Sequence, residues 1–409
     1  VALLLSLPAA AEESGLDLQM LLRELEESHP RLRAGAARLA AAESRIAPMQ
    51  ALPDPEVRLA YTNDGVQELT FGDAIDAALT VSYEQEMPWR GKRRLGGEVA
   101  AAEVEVARAE LEIDRRALRE QVILAYFDVL RVDRTGDVVE ASREVLKTLL
   151  ASARVRYEAG DGVLEDLLKA QTEITRVEIE TAELAQMRAE AESRLNWALA
   201  RAPSTPLRRL RAIPELTVPS REAALAAVEE APAVERSRRM EAASISRLEQ
   251  ARLARKPDWL WGVAWAERGD LDPMVTGMVG ARLPLWRGNK QDREIAAAEG
   301  DLTAARAARE AESLEGGAEV GALLARAEGA RRRMELLERA LIPQARSTLE
   351  AGSASYANGR TVFLALLDDA LDLLEFERDL ERQRGDLGAA LAGIEARTGL
   401  PLVAAGRTP

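Results

Sequence analysis

Few side chains in this sequence could carry out bond-making chemistry. Among 409 residues there is one histidine, His29, and no cysteine. Cys/His zinc sites, iron–sulfur ligation, cysteine nucleophiles and disulfide scaffolds therefore fall away. The chemistry that remains is that of carboxylates. Asp368 and Asp369 stand together near a helix turn, with Asp372 one turn on. Such a group near a helix turn is usually a solvated face. Glutamate is abundant on the helices, but a general acid/base pair at ~5–9 Å cannot be fixed from spacing in repetitive helices. Asp161 and Gly162 read as a turn, because a calcium loop needs alternating oxygen ligands and a bidentate Glu. The motifs G-x-x-x-x-G-K, G-x-S-x-G and H-E-x-x-H are absent. The expectation is a chain with no catalytic residue, no metal centre and no cofactor. His29, ahead of Pro30, reads as an exposed residue at a helix start.

The composition agrees. A net charge of −14 without a basic stripe argues against a nucleic-acid partner. A repertoire dominated by Ala, Leu, Glu and Arg, with 4% aromatic residues, points to long helices. Residues 1–11, Val-Ala-Leu-Leu-Leu-Ser-Leu-Pro-Ala-Ala-Ala, read as the remnant of a signal peptide with an A-x-A type cleavage site, so export is expected. No other stretch approaches the roughly 20 apolar residues of a spanning helix.

The elements that must position these residues occur twice. Pro30, Pro55, Trp89 and Tyr157 recur as Pro232, Pro257, Trp286 and Tyr356, in one order and at separations of 197 to 202 residues. The division expected is a first repeat over 12–202, a proline-rich linker over 203–220, a second repeat over 221–400 and a tail over 401–409. Between Pro88 and Pro203 there is no proline. A helix from just after Gly91 to about Glu158 would reach roughly 100 Å, although Gly136 could interrupt it. Leu95, Val99, Ala102, Val106, Ala109 and Ile113 form one apolar stripe along it, and Val104, Leu111, Leu118, Val122, Ala125 and Val129 a second. Two stripes imply neighbours on both flanks, as in a wall of helices; a single broad face of an ordinary bundle is the alternative.

Four short segments alternate with period 2. Val57, Leu59 and Tyr61 form one apolar set; Leu79, Val81 and Tyr83 a second; Trp259, Trp261, Val263 and Trp265 a third; Val275, Gly277, Val279 and Ala281 the weakest. The first two are joined by a long loop that starts at Asn63-Asp64-Gly65, the last two by a shorter one over Glu267–Pro273. Each set would face lipid or a soluble core; alternation by itself does not choose. Four strands cannot close a barrel, and open edges are not tolerated in lipid, so the membrane reading requires an oligomer.

The two-repeat plan, the exits Pro88-Trp89-Arg90-Gly91 and Pro284-Leu285-Trp286-Arg287-Gly288 and the turns Tyr157-x-x-Gly160 and Tyr356-x-x-Gly359 resemble the TolC family of outer-membrane efflux channels, over roughly 16–400. The run Glu84 to Arg93, and Tyr157-Glu158-Ala159-Gly160 followed by Asp166 to Gln171, most resemble its heavy-metal branch, the CzcC and CusC-like factors. The resemblance implies a mainly α fold with a small β part. Three copies would form a helical periplasmic tunnel and a 12-stranded outer-membrane barrel in a Gram-negative bacterium. It implies a passive exit duct of a tripartite, RND-type pump, with a periplasmic adaptor and an inner-membrane pump as partners. Pro88, Trp89, Gly91, Pro284, Trp286 and Gly288 would mark the barrel-to-helix junctions. Tyr157, Gly160, Asp161, Gly162 and Gly359 would form adaptor-docking tips. By the same resemblance Tyr356 would hydrogen-bond Asp166 to hold the tip closed. The family's accompanying arginine position is filled by Thr361, with Arg360 one residue earlier. Asp368, beside Asp369, would face the pore aperture. Heavy-metal cations are the expected cargo. Drugs or polypeptides of a type I system are the alternative within the family, and a soluble periplasmic coiled-coil scaffold or adaptor the alternative outside it.

Overall fold

The computed structural model of the chain describes residues 18–71, 74–210 and 212–404. The signal-peptide reading of 1–11 lies outside them. In chain order the elements are α1 (Leu18–Ser28), α2 (Pro30–Ser44), α3 (Ile46–Gln50), β1 (Glu56–Thr62), β2 (Ala78–Met87), α4 (Lys92–Glu158) and α5 (Leu164–Ala198). Then follow β3 (Glu215–Leu216), α6 (Arg221–Val228), α7 (Pro232–Leu253), β4 (Asp258–Arg268), β5 (Leu271–Arg282), α8 (Gln291–Leu336), α9 (Ile342–Ala357), α10 (Phe363–Thr398) and β6 (Val403–Ala404). No described helix is long and apolar enough to cross a membrane. This mainly helical plan with a few strands is the fold class expected from the sequence.

Helix α4 runs unbroken for 67 residues. Gly136 does not interrupt it; its missing side chain leaves room for the Arg209 guanidinium, which a Cβ would approach to 3.2 Å. Its counterpart in the second half, from Gln291 to Ala357, is helical along the same length but not uniformly α. Between α8 and α9 the backbone widens to a π-helical turn at Leu337–Leu341. Pro343 follows immediately, and a residue without an N–H cannot continue the ordinary ladder.

The strands form one antiparallel sheet in the order β1-β2-β4-β5. The register pairs Leu59 with Val81, Val81 with Trp265 and Trp265 with Val275, so the four alternating apolar sets fall on one face. The β4–β5 connection is shorter than Glu267–Pro273. Strand pairing continues to Arg268 opposite Leu271, leaving Gly269 and Asp270 as the turn, with Gly269 at φ +66°. Pro273 is accommodated because β5 is an edge strand and does not need every N–H.

The chain divides into two compact units, each of which draws on both halves of the sequence. One comprises Val1–Ala34, Glu112–Pro232 and Ser313–Pro409. Its core buries Leu18, Leu21, Leu22 and Leu25 of α1 and Tyr126 of α4. Here the linker after α5 is tied down: buried Asp133 accepts the Leu210 N–H (2.8 Å) and pairs with Arg188 (2.7 Å), and β3 pairs with β6. The other unit comprises Gly35–Leu111 and Ala233–Glu312 and contains the four-stranded sheet.

His29 is buried, which corrects the sequence expectation. It caps α2: its Nδ1 accepts the Arg31 N–H at 3.2 Å, and its carbonyl accepts from Leu32 and Arg33. Pro30 at the first helical position has no N–H to offer, so the cap serves the next donor. Burial, then the Arg31 charge, pushes the imidazole below its ordinary pKa.

Candidate functional site

The two Tyr-x-x-Gly motifs build the same turn. After α4, the Gly160 N–H donates to the Tyr157 carbonyl (3.0 Å) and the Asp161 N–H to the Arg156 carbonyl (2.9 Å). After α9, the Gly359 N–H donates to Tyr356 (3.0 Å) and the Arg360 N–H to Ser355 (2.9 Å). These paired bonds are Schellman caps, which need a left-handed residue one place beyond the cap. Gly160 and Gly359 supply it at φ +83° and +70°. Gly162 then folds back so closely that a Cβ there would lie 2.9 Å from the Tyr157 nitrogen. Extended Val163 and Val362 start α5 and α10.

The side chains break this likeness. Tyr157 is exposed, whereas Tyr356 is 3% exposed and packs edge-on against Phe363, ring centroids 5.6 Å apart. The hydrogen bond expected from Tyr356 to Asp166 is not made: the Tyr356 hydroxyl is buried without a partner among the described residues. The two groups nonetheless feel each other. Burial first, then Asp166, pushes the Tyr356 phenol up. Burial first, then Glu165, raises the Asp166 carboxyl, against the pull of Lys169 and Arg156. Arg360 is exposed and Thr361 half-buried, and Arg360 makes no ion pair among the described residues. The residue that does bridge the turns is Arg156, which the sequence reading passed over. Its Nη1 donates to the Tyr356 carbonyl at 2.7 Å and its Nη2 to the Asp161 carbonyl at 3.2 Å.

Above the turns, Asp368 is exposed and Asp369 half-buried. Burial, then Asp372 and Asp368, raises the Asp369 carboxyl. Asp368 has a cationic neighbour. Lys169 stands at the sixth position of α5, as Asp368 does of α10. It pairs with Glu165 at 2.8 Å and also feels Asp166 and Asp368. Among the described residues no His/Cys/Asp/Glu group could hold a metal ion.

The strand-to-helix exits differ from each other. At the first, Gly91 turns the chain at φ +94°. Asp258 at the start of β4 accepts the Trp89 N–H (2.7 Å), and Lys92 donates to both of its carboxylate oxygens (2.8 Å each) and to the Lys256 carbonyl (3.0 Å). The Lys256 ammonium lies 6.0 Å above the Trp89 ring. At the second, the Trp286 carbonyl accepts from Asn289 and Lys290 between Pro284 and α8, Trp286 itself is 79% exposed, and a Cβ at Gly288 would meet open space. Asp258 was legible only as the residue after Pro257; its partners lie far back in the sequence.

The sheet presents its apolar face outward. Val57, Leu59, Tyr61, Val81, Trp261, Trp265 and Val279 are all exposed, while Ala264 and Ala266 on the opposite face are buried. A soluble sheet would cover the first face and wet the second.

The family described as Outer membrane efflux protein matches residues 21–201. The outer membrane protein VceC from Vibrio cholerae has a similar fold, with a TM-score of 0.76 at 18% identity over 94% of this chain and 96% of that one. The outer-membrane channel OprN is similar at 0.78, with 19% identity over 93% and 89%. CusC, solved in connection with transmembrane channel formation, is similar at 0.80, with 14% identity over 96% of each chain. No curated protein matches the sequence. The family match covers residues 21–201, and the solved structures share the fold over nearly the whole chain. They do not single out the heavy-metal branch, since CusC is one of several similar structures.

Proposed function

We propose that this chain is the outer-membrane exit duct of a tripartite, RND-type efflux system, a passive channel that carries out no catalysis. The observation that carries this reading is the sheet. Its four strands leave β1 and β5 unpaired at the edges, and its Trp- and Val-bearing face is exposed. Lipid on that face and further copies of the chain at both edges satisfy both features. Three copies would supply twelve strands, with the tip turns left to meet a periplasmic adaptor and, through it, an inner-membrane pump. A soluble scaffold would have to leave this face in water, which counts against it.

The test is the native mass of protein extracted in detergent, together with conductance in a planar bilayer. Three 44.6 kDa subunits and a discrete conductance are expected. A monomer without conductance overturns the reading.

For cargo we propose heavy-metal cations, passed along carboxylates such as Asp368 and held weakly, because the chain has one histidine and no cysteine to store them. A deletion strain should lose metal tolerance and keep drug tolerance. The reverse result assigns the duct to drugs.

A further inference from the structure

We infer that Arg156 is a clasp that ties the two hairpin tips of one chain together, and thus a positioning residue for the closed tip; its role in gating rests on the duct reading above. One guanidinium reaches both turns. It donates to the Asp161 carbonyl of its own turn and to the Tyr356 carbonyl of the other, 200 residues away. The second bond uses acceptor capacity left over, since that carbonyl takes only the Gly359 N–H in its own turn and a carbonyl has two lone pairs. The guanidinium carbon also lies 4.6 Å from the Tyr356 ring centroid, where a cation is attracted to the ring face.

The clasp accounts for an asymmetry between otherwise identical turns. The residue before Tyr157 is Arg156, and the residue before Tyr356 is Ser355. The arginine covers the second tyrosine, which is buried, whereas the first is exposed. The expected Tyr356–Asp166 hydrogen bond is meanwhile unmade, with the Tyr356 hydroxyl lacking a partner among the described residues. Within the chain the tips are therefore joined through main-chain carbonyls. Such a contact needs a planar fork of several donors, which lysine lacks. If the tips separate as the duct opens, this contact is what must break.

The experiment uses the full chain with Arg156→Gln and Arg156→Lys, reconstituted for conductance and, separately, spin-labelled at the exposed positions Glu158 and Asn358 for a tip-to-tip distance. Arg156→Gln should raise the open probability several-fold and lengthen and broaden the distance, with Arg156→Lys between it and the wild type. Unchanged distance and unchanged conductance in Arg156→Gln would overturn the clasp. If wild-type protein does not conduct, the duct reading fails while the distance still judges the clasp. Should Arg156→Gln not accumulate as folded protein, Arg156→Lys decides alone, and a wild-type distance in it overturns the proposal.

Discussion

Lys92 and Asp258, 166 residues apart in the chain, meet through two 2.8 Å contacts at the point where strand gives way to long helix. Asp258 also holds the Trp89 N–H, so one carboxylate fixes the exit of β2, the start of α4 and the start of β4. Both side chains are about four-fifths buried, which takes the pair out of the class of exposed ion pairs that contribute little. Asp258→Ala should cost about 2 kcal/mol, read as a lower thermal midpoint of the detergent-solubilised protein. Asp258→Asn, which keeps an acceptor for Trp89, should lose less; equal losses would assign the effect to the charge pair alone.

The buried cap at His29 makes stability sensitive to acid. Its folded pKa is depressed below the ordinary value of 6.5, so the unfolded chain takes up the proton first. The contribution is complete above about pH 6.5 and is lost as pH falls through the lower folded value. Protonation also removes the acceptor that Nδ1 offers to the Arg31 N–H. His29→Asn supplies a cap that does not titrate, so its stability advantage over the wild type should grow as the pH is lowered from 7 to 5. A constant difference across that range would show that His29 does not contribute to the acid response.

Lys169 sits beside the proposed aperture, where it feels the charge of Asp368. If the two share the aperture, they oppose each other in setting ion preference. Lys169→Gln should shift the reversal potential in a KCl gradient toward cations, and Asp368→Asn should shift it the other way. Shifts of the same sign, or none in either variant, would remove these residues from the ion path.

The two sheet faces should respond oppositely to charge. Val263→Arg places a guanidinium on the exposed apolar face and should cost about 2–4 kcal/mol if that face meets the bilayer interior. Ser82→Arg, on the opposite face, should be tolerated far better. The readout is the fraction of expressed protein recovered as membrane-inserted oligomer, and equal recovery of the two variants would exclude lipid from the apolar face.

Much of the architecture was legible because it depends on neighbours in sequence. The proline-free stretch after Gly91 does become one helix to Glu158. The period-2 segments do become strands, since alternation sets which side chains share a face whatever the partner strand. The tip turns follow from glycine at the one position that needs positive φ. Where the reading failed, a distant partner was responsible. His29 is buried by packing that no local pattern announces. The β4–β5 loop contracts because pairing runs on to Arg268 and Leu271.

The sequence by itself therefore determined the long helix after Gly91, the four period-2 strands and the glycine turns at the tips, for these are properties of periodicity, of proline and of glycine within a few residues. Tertiary structure alone decided which of two equivalent tyrosines is buried, that Arg156 and not Asp166 joins the tips, and that Asp258 answers Lys92. Hydrogen bonds and ion pairs act over a few ångströms of space, and chain segments 166 or 200 residues apart come within that range only after folding.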